Sequence, residues 1–145
     1  MTEAVALLRS GGFTCVLCKG DITYTSSADG VAPMLDFAAR GVCLEGFSAA
    51  DKIVGKAAAM LFVCAGVSAV YAAVMSEAGA RTLAAHGIAF EYESLVPYIV
   101  NRRGDGMCPM EEAVQDIDEP RAAAEAVRRR RAELMQRNIS PTLDN

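Results

Sequence analysis

The longest uncharged stretch of the chain is GKAAAMLFVCAGVSAVYAAVMSE, Gly55 to Glu77, with no charge between Lys56 and Glu77. A membrane span needs about twenty residues of sustained hydrophobicity in one unbroken helix. Here the run changes character at Gly66. AAAMLF before it favours helix, whereas VSAVYAAV after it is richer in β-branched and aromatic residues. The pattern predicts helix, turn and buried strand, because a strand covered on both faces reads as one continuous apolar run. No membrane partner is expected.

The same reading extends along the chain. TEAVALLRS, residues 2–10, predicts a short helix closed by Gly11-Gly12, and FTCVLCKGDITYTSS predicts a hairpin turning at Lys19-Gly20-Asp21. PMLDFAAR starts with Pro33 at a first helical position and stops at Gly41. VCLEG reads as a short strand over 42–45. Ser48 followed three residues later by Asp51 has the form of a capping box, and predicts a helix over 49–64. A strand over 67–75 follows, then a helix capped by Ser76 and ending at His86-Gly87. IAFEYESLVPYIV is strand-like, with Pro97 ending or interrupting it. NRRGDGMC reads as a loop, Pro109 opens the short helix PMEEAV, and a last helix begins at Pro120. A hairpin followed by strands alternating with helices describes a mixed sheet with helices on both faces.

Composition narrows the class. A chain of 145 residues that is 52% hydrophobic and 22% charged suits one domain with one core. We divide it into a domain over 1–118, an Arg-rich helix over 119–137 packed on or extending from it, and a flexible tail over 138–145. A formal charge of -4 gives no net attraction to phosphate backbones, so nucleic acid is not an expected partner. MTEAVALLRSGG has neither a basic segment nor a long apolar one, which predicts a cytoplasmic protein whose five cysteines are thiols. The apolar composition leads us to expect a homodimer.

The candidate chemistry is sparse. Cys15 and Cys18 form a CxxC, but on a strand their sulfurs point to opposite faces, which favours packing. The lone histidine, His86, falls in a last helical turn where the helix dipole suits its charge. One histidine excludes a multi-histidine metal site. The arginine run 128–131 shares its helix with glutamates and reads as a solvated face, or as a docking surface for an acidic partner. The cluster ADKIVGKAAAM is more informative. Lys52 and Lys56, four apart on a predicted helix otherwise apolar, need a carboxylate, an anionic ligand or water. Asp51, Glu77 and Glu111 are the candidate carboxylates; the alternative is that both lysines reach past the core edge into solvent.

ADKIVGKAAAML, VYAAVMSEAGARTL and NRRGDGMCPMEEAV together resemble the signature blocks of an uncharacterised prokaryotic family, a domain of unknown function (DUF) with the cytidine-deaminase-like fold. The resemblance runs from about residue 4 to residue 115. It implies a three-layer α/β/α sandwich with a mixed central sheet. In active deaminases of that fold a zinc sits at two helix N-termini, on His-x-Glu or Cys-x-Glu at one and Pro-Cys-x-x-Cys at the other. Here the corresponding segments are SAADKIVGK and MSEAGAR, without His or Cys. We therefore expect no metal and no cofactor.

Ligands of parallel sheets bind outside the carboxyl ends of the strands. That edge gathers the candidates: Lys52, Lys56 and Cys108 for chemistry, and Ser48, Asp51, Ser76, Glu77, Asn101 and Glu111 for ligand binding. Lysines, carboxylates and a thiol suit group transfer or acid–base work and suit ligand sensing equally. The sequence predicts a small polar or anionic ligand at this edge and leaves catalysis open. The alternative is a regulatory or protein-interaction module on the same scaffold.

Overall fold

The computed structural model describes residues 1–143, with side chains described to residue 137. The first helix, α1 (Thr2–Ser10), leads into a hairpin of β1 (Cys15–Lys19) and β2 (Ile22–Ser26), followed by α2 (Ala32–Ala39). Then come β3 (Ser48–Val54), α3 (Lys56–Ala65), β4 (Ala69–Ser76), α4 (Glu77–Ala85) and β5 (Ala89–Val96). Two helices, α5 (Pro109–Val114) and α6 (Pro120–Leu143), complete the chain.

The five strands form one mixed sheet in the order β2-β1-β3-β4-β5, with β1 antiparallel to both neighbours and β3, β4 and β5 parallel. This is the α/β architecture expected. Alternate residues of the central strands enter two separate cores. Cys15, Leu17 and Ala49 pack with α2, α3, α5 and α6, while Val16, Cys18 and Ala50 pack under α1. Cys15 and Cys18 thus lie on opposite faces, as the strand period requires.

Two sequence expectations are corrected. VCLEG is not a strand. Residues 48–54 are not the start of a helix but the central strand β3, and α3 begins only at Lys56. Ser48 caps nothing: it pairs in register with Cys18 and Ala69. The physical reason is burial. Ala49, Ala50 and Asp51 are all inaccessible between β1 and β4, and a strand buried on both faces shows no alternation to distinguish it from helix. Lys52 and Lys56 consequently do not share a helical face.

α6 packs on the domain rather than extending from it. Ala123, Ala124 and Val127 are buried in the main core. Arg130 donates to the Pro109 carbonyl at 3.0 Å and Arg131 to Asp36 at 3.1 Å, whereas Arg128 and Arg129 pair with Glu125. The arginine run is therefore half docking and half solvated. α6 continues to Leu143, past the end expected at residue 137; Asp144 and Asn145, the end of the expected tail, lie outside the described residues. No helix among the described residues is long and apolar enough to cross a membrane.

Candidate functional site

The parallel strands bring the start of α3, the start of α4 and the chain leaving β5 to one edge of the sheet. Gly55 is the N-cap of α3 and has no side chain with which to cap. The cap comes instead from α5. Glu111 accepts from the Lys56 N–H at 2.7 Å and from the Ala57 N–H at 2.8 Å, one oxygen to each. A Cβ at Gly55 would overlap this carboxylate, so glycine there leaves the space that Glu111 fills. Burial raises the Glu111 carboxyl above its ordinary range, opposed by the N–H groups of Ala57 and Lys56 and by the Lys56 charge. At the neighbouring helix, Ser76 accepts from the Gly79 N–H at 3.0 Å. Gly79 lies against the β3–α3 turn, where a Cβ would stand 2.9 Å from the Val54 carbonyl oxygen.

Beyond β5, residues 97–108 cross this edge as a strap. Val100 and Met107 pair as an antiparallel bridge, and the Asn101 side chain holds the turn by accepting from the Gly104 and Asp105 N–H groups. Arg102 reaches Asp29, beyond the end of β2, at 3.4 Å.

Between the strap, α4 and the α3 start lies a cavity of about 540 Å³, lined among others by Lys56, Ser76, Arg81, Tyr98, Glu111 and Asp118. The Lys56 side chain is only 11% exposed, and its ammonium donates to Asp118 at 2.9 Å and to the Gln115 carbonyl at 3.2 Å. Its partner is thus neither Asp51 nor Glu77. Arg81 meets no carboxylate among the described residues. His86, the C-cap of α4, also borders the cavity, with Nδ1 3.0 Å from the Thr82 carbonyl oxygen.

Of the residues singled out from the sequence, Lys56, Ser76 and Glu111 meet at the cavity. The other residues proposed for chemistry or ligand binding, Ser48, Asp51, Lys52, Glu77, Asn101 and Cys108, do not line it. Ser48 stands at the opposite edge of the sheet, and Lys52 is exposed on β3, its N–H donating to the Thr14 carbonyl. Asp51 is buried inside the sheet beside Cys15, where desolvation raises its carboxyl to about 7. Burial, and secondarily the Asp51 charge, push the Cys15 thiol up as well. Glu77 is exposed at the start of α4. Asn101 is spent on the strap turn, and Cys108 is the N-cap of α5 through its backbone carbonyl.

The residues missed were Arg81, Tyr98, Met107 and Asp118. Arg81 carried the one usable signal: it lies one helical turn and a residue beyond Ser76, on the helix whose start was already placed at this edge.

The donors present do not fit the zinc implied by the deaminase resemblance. An ammonium, two backbone-bound carboxylate oxygens and a hydroxyl already used as a cap stand at the two helix starts, and zinc prefers imidazole and thiolate.

A family model described as TM1506, domain of unknown function (DUF1893), matches residues 3–130. The crystal structure of a DUF1893 family protein (TM1506) from Thermotoga maritima superposes with a TM-score of 0.81 at 26% identity, over 87% of this chain and 86% of that one. No curated protein matches the sequence.

Proposed function

The chain belongs to the DUF1893 family, a domain of unknown function, and on that premise we propose that it binds a small anionic ligand in the cavity at the carboxyl edge of its parallel strands. The observation that carries this reading is the charge left unmatched there. Both Glu111 oxygens are taken by the start of α3 and Asp118 is taken by Lys56, while Arg81 faces the same cavity with no carboxylate among the described residues. A guanidinium presents donors only, in a fork suited to a carboxylate or phosphate. Asp118, 94% exposed, is an acceptor that an incoming anion can replace at the Lys56 ammonium. The deaminase-like scaffold is part of the same proposal, supported by the two helix starts that meet at this edge, with binding in place of zinc chemistry.

The test is ligand-dependent melting of the intact chain with phosphate, sulfate and small carboxylates. Binding to the native state raises the melting temperature in proportion to occupancy. We expect a shift in the wild type that Arg81→Met and Lys56→Met both abolish. A wild type that no anion shifts would remove the reading.

A second observation supports an interaction role. β5 is the edge of the sheet, eight residues long and largely exposed, with Tyr92 and Leu95 at 43% and 44%. An open edge strand is a template for another strand, and we propose that it pairs two copies of the chain.

A further inference from the structure

The cavity has a second chemical character besides its cations. Met60 at 2% exposure and Met107 form apolar parts of its lining, together with the ring of Tyr98, which is 46% exposed. Thioether side chains adapt to flat and irregular apolar bodies and make favourable contacts with aromatic rings. About 540 Å³ also falls within the usual range of small-molecule sites, and an inorganic oxyanion would fill only a fraction of it. Charge sets the other limit. The lining holds two cations, Lys56 and Arg81, and two carboxylates, Glu111 and Asp118, so its formal charge is zero with His86 neutral, although Arg81 itself is paired with neither carboxylate. A site of that balance accommodates one anionic group at the unmatched guanidinium and penalises a polyanion, whose further charges meet the carboxylates.

We infer that the ligand is amphipathic: a single carboxylate or phosphate monoester held between Arg81 and Lys56, carried on a flat apolar body received by Met60, Tyr98 and Met107. This rests on the anion-binding reading above and specifies its ligand class. The strap supplies two of the three apolar receivers, Tyr98 and Met107, so the part of the chain that encloses the cavity is also the part that selects the ligand body.

Isothermal titration of the full chain with inorganic phosphate, pyrophosphate, benzoate and phenyl phosphate tests this. Phenyl phosphate is expected to bind tighter than inorganic phosphate by about tenfold or more, the worth of burying part of one ring. Pyrophosphate gains nothing over phosphate. Met107→Ser, at a half-buried position of the strap, is expected to weaken phenyl phosphate and benzoate while leaving phosphate unchanged, and Arg81→Met to weaken all of them. If phosphate binds as tightly as its phenyl ester, or pyrophosphate binds tightest, the amphipathic ligand is wrong and the anion site stands. If none of the four binds, both fall.

Discussion

Two buried carboxylates show how residue-scale environment decides behaviour. Glu111 has a backbone N–H for each oxygen and an ammonium nearby; Asp51 has only the N–H of Ile53 at 3.4 Å and that of Lys52. Desolvation therefore dominates at Asp51 and raises it from 3.8 to about 7. A carboxyl raised on folding takes up a proton as the chain folds. Its stabilising contribution is complete below about pH 4 and is lost as the pH rises to about 7, a change on the order of 4 kcal/mol. Denaturant titrations across that range should show wild-type stability falling with pH and Asp51→Asn falling less steeply, the remaining slope in that direction coming from Glu111, which burial also raises. A wild type that grows more stable over the same range, with Asp51→Asn parallel to it, would contradict the assignment. At the site, Lys56→Met leaves Asp118 in water and buried Glu111 still bound to two backbone N–H groups, so chemical denaturation should find stability within about 1–2 kcal/mol of wild type. Glu111→Ala leaves two N–H groups of α3 without acceptors and should cost about 2–4 kcal/mol in the same measurement.

At the scale of elements, helix starts fit against strand ends with little room to spare. Gly79→Ala puts a methyl group against the Val54 carbonyl and should lower stability by about 1–3 kcal/mol, read from thermal or denaturant unfolding. Much of this arrangement was legible beforehand. The hairpin, α2 with Pro33 in its first turn (one position later in the helix than expected), the Ser76 cap, the end of β5 before Pro97 and α5 opening at Pro109 each carry a local signal in the residues themselves. The boundary between β3 and α3 did not. SAADKIV offers Ser and Asp at capping spacing, but the true start is marked by Gly55, whose meaning depends on the Glu111 carboxylate, far along the chain. The same holds for the site. Lys56, Ser76 and Glu111 stand beside helix starts and could be found by element order, whereas Tyr98, Met107 and Asp118 reach the cavity through a strap and an interhelical turn that no periodicity describes.

Across the whole molecule, the two faces of the sheet are unequally covered. α1 alone forms the second core, over β1 and β3, while β5 remains an open edge. Antiparallel pairing of two β5 strands about a two-fold axis must keep like charges apart. An axis at Ser94 does so: Ser94 faces itself, Tyr92 faces Val96 and Glu93 faces Leu95, whereas an axis at Tyr92 sets Glu91 opposite Glu93. We expect sedimentation equilibrium to give a dimer for the wild type and a monomer for Tyr92→Glu, which adds two charges to that interface. A wild type that stays monomeric at high concentration would exclude the pairing.

The remote cap on α3 also bears on how the chain is made. α3 is synthesised well before Glu111, with β4, α4, β5 and the strap in between. Until that carboxylate arrives, the first amides of α3 have water in place of their buried acceptor, and the early part of the chain holds an unfinished helix beside its central strand. Contacts so distant in sequence close late, because the loop between them must be ordered first. A nascent chain halted after Arg103 should therefore exchange the amide hydrogens of Lys56 and Ala57 rapidly, and release past Glu111 should protect both together. On the ribosome, the maturation of the first crossover is timed by a residue of the second-last helix.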